Sequence, residues 1–180
     1  MQLVGNKAWV IVLVLALAVS AAPGHADESC VDFKWDVTQE RALFAAPPTE
    51  LVAGKDLAAA PKLAPNRLYK LKLAAQDQVK FSVPPGKQAA GGATFAGVAT
   101  LKIPSPGSYR ISLDMPVWID VAANGMLIAA KDFEGQHSCR APHKIVEFEL
   151  AGTQSFVLQF SDSQNDAVSM TVTVSPQRKM

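Results

Sequence analysis

The sequence predicts an all-β sandwich, and three observations carry that prediction. Apolar residues alternate with polar ones in short runs, as with Tyr109, Ile111 and Leu113 set against Arg110, Ser112 and Asp114. Clusters of Gly, Pro and Asn separate the runs, and Asn124-Gly125 offers the two positive-φ residues a tight hairpin requires. Little of the chain carries a helical period. About nine or ten strands follow from this spacing, with no fixed repeat that would mark a propeller or solenoid.

The N-terminus stands apart. Lys7 precedes an unbroken apolar run from Ala8 to Val19, and small residues follow up to Ala26, with Gly24 and Ala26 where a signal peptidase reads. The pattern is that of a secretory signal peptide over residues 1–26, too short for a comfortable membrane span. The mature chain is expected to start at Asp27 and to reside in the periplasm or outside the cell. Residues 27–176 then form one domain of ordinary size, and 177–180 a disordered tail.

The whole chain has 17 basic and 16 acidic residues, so loss of Lys7 leaves them near balance. A near-neutral chain without a basic run argues against nucleic-acid binding and against attachment to anionic membranes. Nothing in the mature chain is apolar enough for stable membrane insertion. Its only cysteines, Cys30 and Cys139, pair most simply as one disulfide in an oxidising compartment. Closing so long a loop is worth about 4 to 5 kcal/mol by chain entropy.

In chain order, Val31, Phe33, Trp35 and Val37 alternate with polar residues and predict the first strand, with Trp35 in the core. Gln39 to Phe44 suits a helical turn or a short extended piece. Residues 45–65 are rich in Ala and Pro and predict a long extended crossover on the surface. Strands are then expected around Tyr69, Leu71 and Leu73, around Val79, Phe81 and Val83, and from Thr94 to Ile103. The run from Tyr109 to Leu113, the run from Val117 to Val121 and the return strand Met126–Ala129 follow. Three more strands carry Val146, Phe148 and Leu150; Phe156, Leu158 and Phe160; and Val168, Met170, Val172 and Val174. In the last of these, Ser169, Thr171 and Thr173 are expected to face outward.

Chemistry-bearing side chains concentrate in the loop 131–143, which holds both histidines of the mature chain. Three readings of this loop stay open. It can be a ligand-contacting rim, with Arg140 and His143 holding an anion or carbonyl, Trp118 giving a flat apolar face and His137 at the same edge. Trp118 opposes the parity of Val117, Ile119 and Val121, so it either packs in a second layer or is presented to a partner. Alternatively, His137 and His143 with Glu134 or Asp132 form a two-histidine, one-carboxylate site for one divalent metal ion. The third reading is a disulfide-anchored connection whose charges face water. No Gly-x-Ser-x-Gly elbow and no phosphate loop is present.

Pro106-Gly-Ser-Tyr109 entering a strand, Trp118-Ile-Asp-Val121 and Asn124-Gly125 carry a resemblance over about Ala99 to Val174. This segment resembles the jelly-roll accessory domains of secreted bacterial proteins, such as carbohydrate-binding modules and the pre-peptidase C-terminal domain. The resemblance implies a single antiparallel jelly-roll sandwich with an accessory role and identifies no ligand; the leading reading is a binding module without a cofactor, for a small molecule, a glycan or an envelope protein, rather than an enzyme. The alternatives are a metal-dependent oxygenase-like jelly roll using Glu134, His137 and His143, and an envelope assembly factor contacting a partner through 45–65.

Overall fold

The computed structural model describes residues 33–87, 91–136, 138–139, 141–152 and 155–175. The expected signal peptide, Cys30 and the expected tail 177–180 lie outside the described residues. The first strand predicted through Val37 does not form from Phe33 onward. Asp36 Oδ1 instead accepts the Thr38 amide (2.9 Å), and the chain turns into helix α1, Thr38–Phe44. Trp35 is not in the core. It lies half-buried, with the Arg110 guanidinium 4.9 Å and the Lys34 ammonium 4.5 Å from its ring. Apolar alternation marks a half-buried segment, and lying across a sheet satisfies it as well as pairing within one.

The Ala/Pro-rich crossover is more structured than a surface loop. It forms β1 (Thr49–Val52) and β2 (Lys62–Leu63), which pair in parallel with β3 (Leu68–Lys72) and β5 (Phe95–Lys102), respectively. Between them the chain passes from one sheet to the other through Gly54, whose amide and carbonyl both bond Val98. A Cβ at Gly54 would stand 2.6 Å from the Asp56 oxygen and 2.7 Å from the Ala60 nitrogen, so only glycine fits.

β4 (Ala74–Ala75) adds to the margin of β5, and a single 3-10 turn follows at Gln76–Gln78. The strand predicted at Val79–Val83 is absent. One buried side chain takes the place of a ladder: Gln159 Oε1 accepts the amides of Ser82 (2.9 Å) and Val83 (3.1 Å), and Nε2 donates to the Val83 carbonyl (2.9 Å).

The remaining strands are β6 (Gly107–Leu113), β7 (Trp118–Ala123), β8 (Met126–Ile128), β9 (Ala130–Gly135), β10 (Lys144–Leu150), β11 (Ser155–Ser163) and β12 (Ala167–Val174). Asn124 and Gly125 close the β7–β8 hairpin with φ of 54° and 75°, as the sequence requires. β9 occupies the first half of what the sequence presents as a loop. It pairs with β10 across a bulge at Glu147/Phe148.

The sheets run β1-β3-β12-β6-β10-β9 and β2-β5-β11-β7-β8. Leaving aside the short additions β1, β2, β4 and β9, the eight principal strands lie first, eighth, third, sixth in one sheet and second, seventh, fourth, fifth in the other. That order is a jelly roll. All principal pairs are antiparallel; the crossover supplies the two parallel ones, and its two strands together with β4 and β9 bring the count among the described residues to twelve.

Tyr109, Ile111, Phe148, Leu150, Phe160 and Val172 fill the core between the sheets. Tyr109 is fully buried and satisfies its hydroxyl on the Ser105 carbonyl (2.7 Å). The opposite face of the first sheet is closed too, so Thr171 and Thr173 point away from the core yet are buried. α1 packs over β12, and Thr173 donates to Glu40 Oε1 (2.6 Å). Among the described residues, no helix is long and apolar enough to cross a membrane.

Candidate functional site

β10 reads Lys144-Ile-Val-Glu-Phe-Glu-Leu, and its core-facing residues are Val146, Phe148 and Leu150. Lys144 shares their parity, so a lysine occupies a position that points between the sheets. Opposite it, β8 pairs with β7 only from Val121 to Ala123, and beyond Ile128 the chain leaves for the other sheet as β9. The Trp118–Asp120 end of β7 thus lacks a strand on that side. A cleft of about 280 Å³ opens where the chain crosses between sheets.

Buried Ile119, Val146 and Phe148 form the inner side of the cleft, with Leu127 and Ile128 of β8 beside them. Phe133 of β9 stands at its rim and is 68% exposed. Trp118, Asp120 and Lys144, with Ala129 and Ala130, complete the lining. A more open groove of about 490 Å³ adjoins it, sharing Trp118, Phe133 and Lys144 and adding Lys87, His143 and Asp162.

Trp118 organises the polar end. Its indole Nε1 donates to Asp120 Oδ1 (3.0 Å), and Asp120 Oδ2 accepts the Gly86 amide (3.0 Å), so both carboxylate oxygens are engaged. Two ammonium groups lie near the ring, Lys144 at 5.2 Å and Lys87 at 5.6 Å. Lys87 also pairs with Asp162 (3.6 Å). Lys144 donates to the Val117 carbonyl (3.2 Å) and, among the described residues, has no ion-pair partner. Burial pushes its ammonium below the usual lysine range and the charge of Lys87 adds to this, while Asp120 pulls the other way.

The residues expected to form a site divide as follows. Trp118 and His143 come together on the open groove. His143 Nδ1 donates to the Cys139 carbonyl (2.9 Å). His137 and Arg140 lie outside the described residues. Glu134 lines neither depression. Its oxygens accept the Lys34 amide (2.8 Å) and the Gln136 side chain (3.1 Å). No group of three or more His, Cys, Asp or Glu residues among the described residues is arranged to hold a metal ion. Cys139 is fully buried and is not a free thiol.

Lys144, Lys87, Phe133 and Leu127 are the site residues that sequence reasoning missed. Only Lys144 left a signal: a lysine at the apolar parity of an otherwise regular strand. No protein-family model and no curated protein matches this chain.

Proposed function

We propose that this protein is an exported, non-catalytic binding module whose small ligand sits in the cleft between β7–β8 and β9–β10. The observation that carries the reading is the meeting of an apolar recess with an aromatic and cationic rim at Trp118 and Lys144. Small-ligand sites have that composition: mostly apolar walls and a few placed polar groups. The hydrogen bond from Trp118 to Asp120 fixes the ring before any ligand arrives, which lowers the ordering cost of binding. The sequence resemblance to secreted accessory jelly rolls supports the same class.

The signal-like N-terminus supports export. The buried Cys139, with Cys30 as the only other cysteine of the sequence, supports one disulfide between them. Methyl-resolved NMR with a fragment set tests the binding site directly. Fragments are expected to shift the methyls of Leu127, Ile128 and Val146 and to lose that effect in Leu127→Trp, which fills the cleft. Shifts confined to other parts of the sandwich would remove the cleft from the proposal.

A further inference from the structure

The chemistry of the cleft specifies its ligand more narrowly than its shape does. Lys144 sits at a core-facing position, bonded to one backbone carbonyl, while the nearby carboxylates are committed elsewhere. Asp120 is held by Trp118 and Gly86, and Asp162 by Lys87. Among the described residues one ammonium is therefore left without an ion pair at the neck of an apolar recess, with the Asp120 carboxylate acting on it from beyond ion-pair distance, and a second ammonium, Lys87, stands nearby around the same ring. A part-buried ammonium in that situation costs free energy unless an anion meets it.

We infer that the cleft takes a single-chain alkyl carboxylate, its head group on Lys144 and its chain against Ile119, Leu127, Val146 and Phe148. This deepens the binding-module reading and rests on it. One ammonium without an ion pair among the described residues matches a singly charged head group. The depressed proton affinity of Lys144 agrees with an ammonium awaiting a counter-ion. The walls are aliphatic and aromatic, so they reward methylenes and offer little to a sugar ring's hydroxyls. Exposed Phe133 at the rim adds apolar surface to the mouth of the recess.

Calorimetry with sodium octanoate, 1-octanol and octyltrimethylammonium bromide, each below micelle formation, tests the inference on the full mature protein. Octanoate should bind at least tenfold tighter than octanol, and the cation weakest. Across hexanoate, octanoate and decanoate each added methylene should tighten binding about fourfold until the recess is full. Lys144→Met should reduce octanoate to the level of octanol while leaving octanol unchanged, and Leu127→Trp should abolish both.

Equal binding of octanoate and octanol, both lost in Leu127→Trp, would overturn the carboxylate assignment and leave the cleft in place. Unchanged octanoate binding in Lys144→Met would overturn it as well. Failure of all three probes to bind the wild type would end this inference alone, since fragment mapping tests the cleft separately. Binding that persists in Leu127→Trp would remove both readings together.

Discussion

Strand β10 carries charge on both faces, and the protein closes Glu147 on one and Lys144 on the other differently. Glu147 lies on the outer face of its sheet, 7% exposed, and meets Arg110 Nε at 3.4 Å, the Ser175 hydroxyl at 2.6 Å and Lys131 at 3.5 Å. Arg110 in turn bonds the Asp36 carbonyl (3.1 Å), approaches Glu40 (3.8 Å) and lies against the Trp35 ring. Each charged group in this cluster has at least one opposite charge and one further hydrogen bond. Lys144, on the inner face, has one carbonyl. The first cluster is what joins the helix and N-terminal segment to the sheet; the second is left open. Where nearly every polar group is answered, charge serves structure. A part-buried charge left unanswered is the better place to look for a ligand.

Substitutions should separate the two faces. The largest effect is expected from Arg110→Met, which strands Glu40 and Glu147 without their shared cation. Breaking a buried pair in this way costs about 3–5 kcal/mol, read as a lower urea midpoint with the cleft's ligand response intact in the folded fraction. A loss below about 1 kcal/mol would show that the outer cluster is not what holds α1 down.

Glu147→Gln should cost less, about 1–3 kcal/mol at neutral pH. Burial raises the proton affinity of Glu147, but the hydrogen bonds from Ser175 and Arg110 and the charge of Lys131 outweigh it and hold the carboxyl below its ordinary 4.5. The folded value is the lower one, so its stabilisation is complete above 4.5 and lost as pH falls through the folded value. The gap between wild type and Glu147→Gln in urea titrations should therefore narrow on acidification. A gap independent of pH would assign the effect to packing.

Lys144→Met should move stability the other way, a gain of about 1 kcal/mol at neutral pH, because it removes a charge from an apolar position. The folded Lys144 loses its proton more readily than the unfolded chain, whose lysine titrates near 10.5. Its penalty is present in full below the folded value and relieved as pH climbs towards 10.5, so the advantage of the methionine should shrink in that window. A destabilised Lys144→Met would mean that the lysine stem or its bond to Val117 is structural.

Lys34→Ala should show the smallest effect, under about 1 kcal/mol. Its 2.6 Å pair with Asp132 has side chains 43% and 37% exposed, where water and salt screen the attraction.

Much of the fold was legible because period-2 alternation reports which face of a strand is buried. Tyr109 to Leu113, Val146 to Leu150 and Phe156 to Phe160 place their alternate apolar residues in the core as that rule says, although Arg110, Ser112, Glu147 and Gln159 between them are buried as well. It failed at Phe33–Val37 and Val79–Val83, where the apolar residues cover a sheet instead of extending one. It was silent on β1, β2 and β9, whose short margins carry too few inward residues to show a period: Ala130–Gly135 has Phe133 as its only large apolar side chain. In the site, the reversed parity of Trp118 was visible in sequence, and so was the misplaced lysine at 144. Lys87 was not, because its approach to Trp118 depends on where the 84–87 turn lands, which no local pattern encodes.

The crossover that passes from sheet to sheet has a bearing on solubility. Exposed strand edges invite other chains to pair, and short edges flanked by proline discourage it. Pro47 and Pro48 precede a four-residue β1, and Pro61 precedes a two-residue β2. A stretch with the composition of filler thus gives each sheet a margin too short and too interrupted to template aggregation.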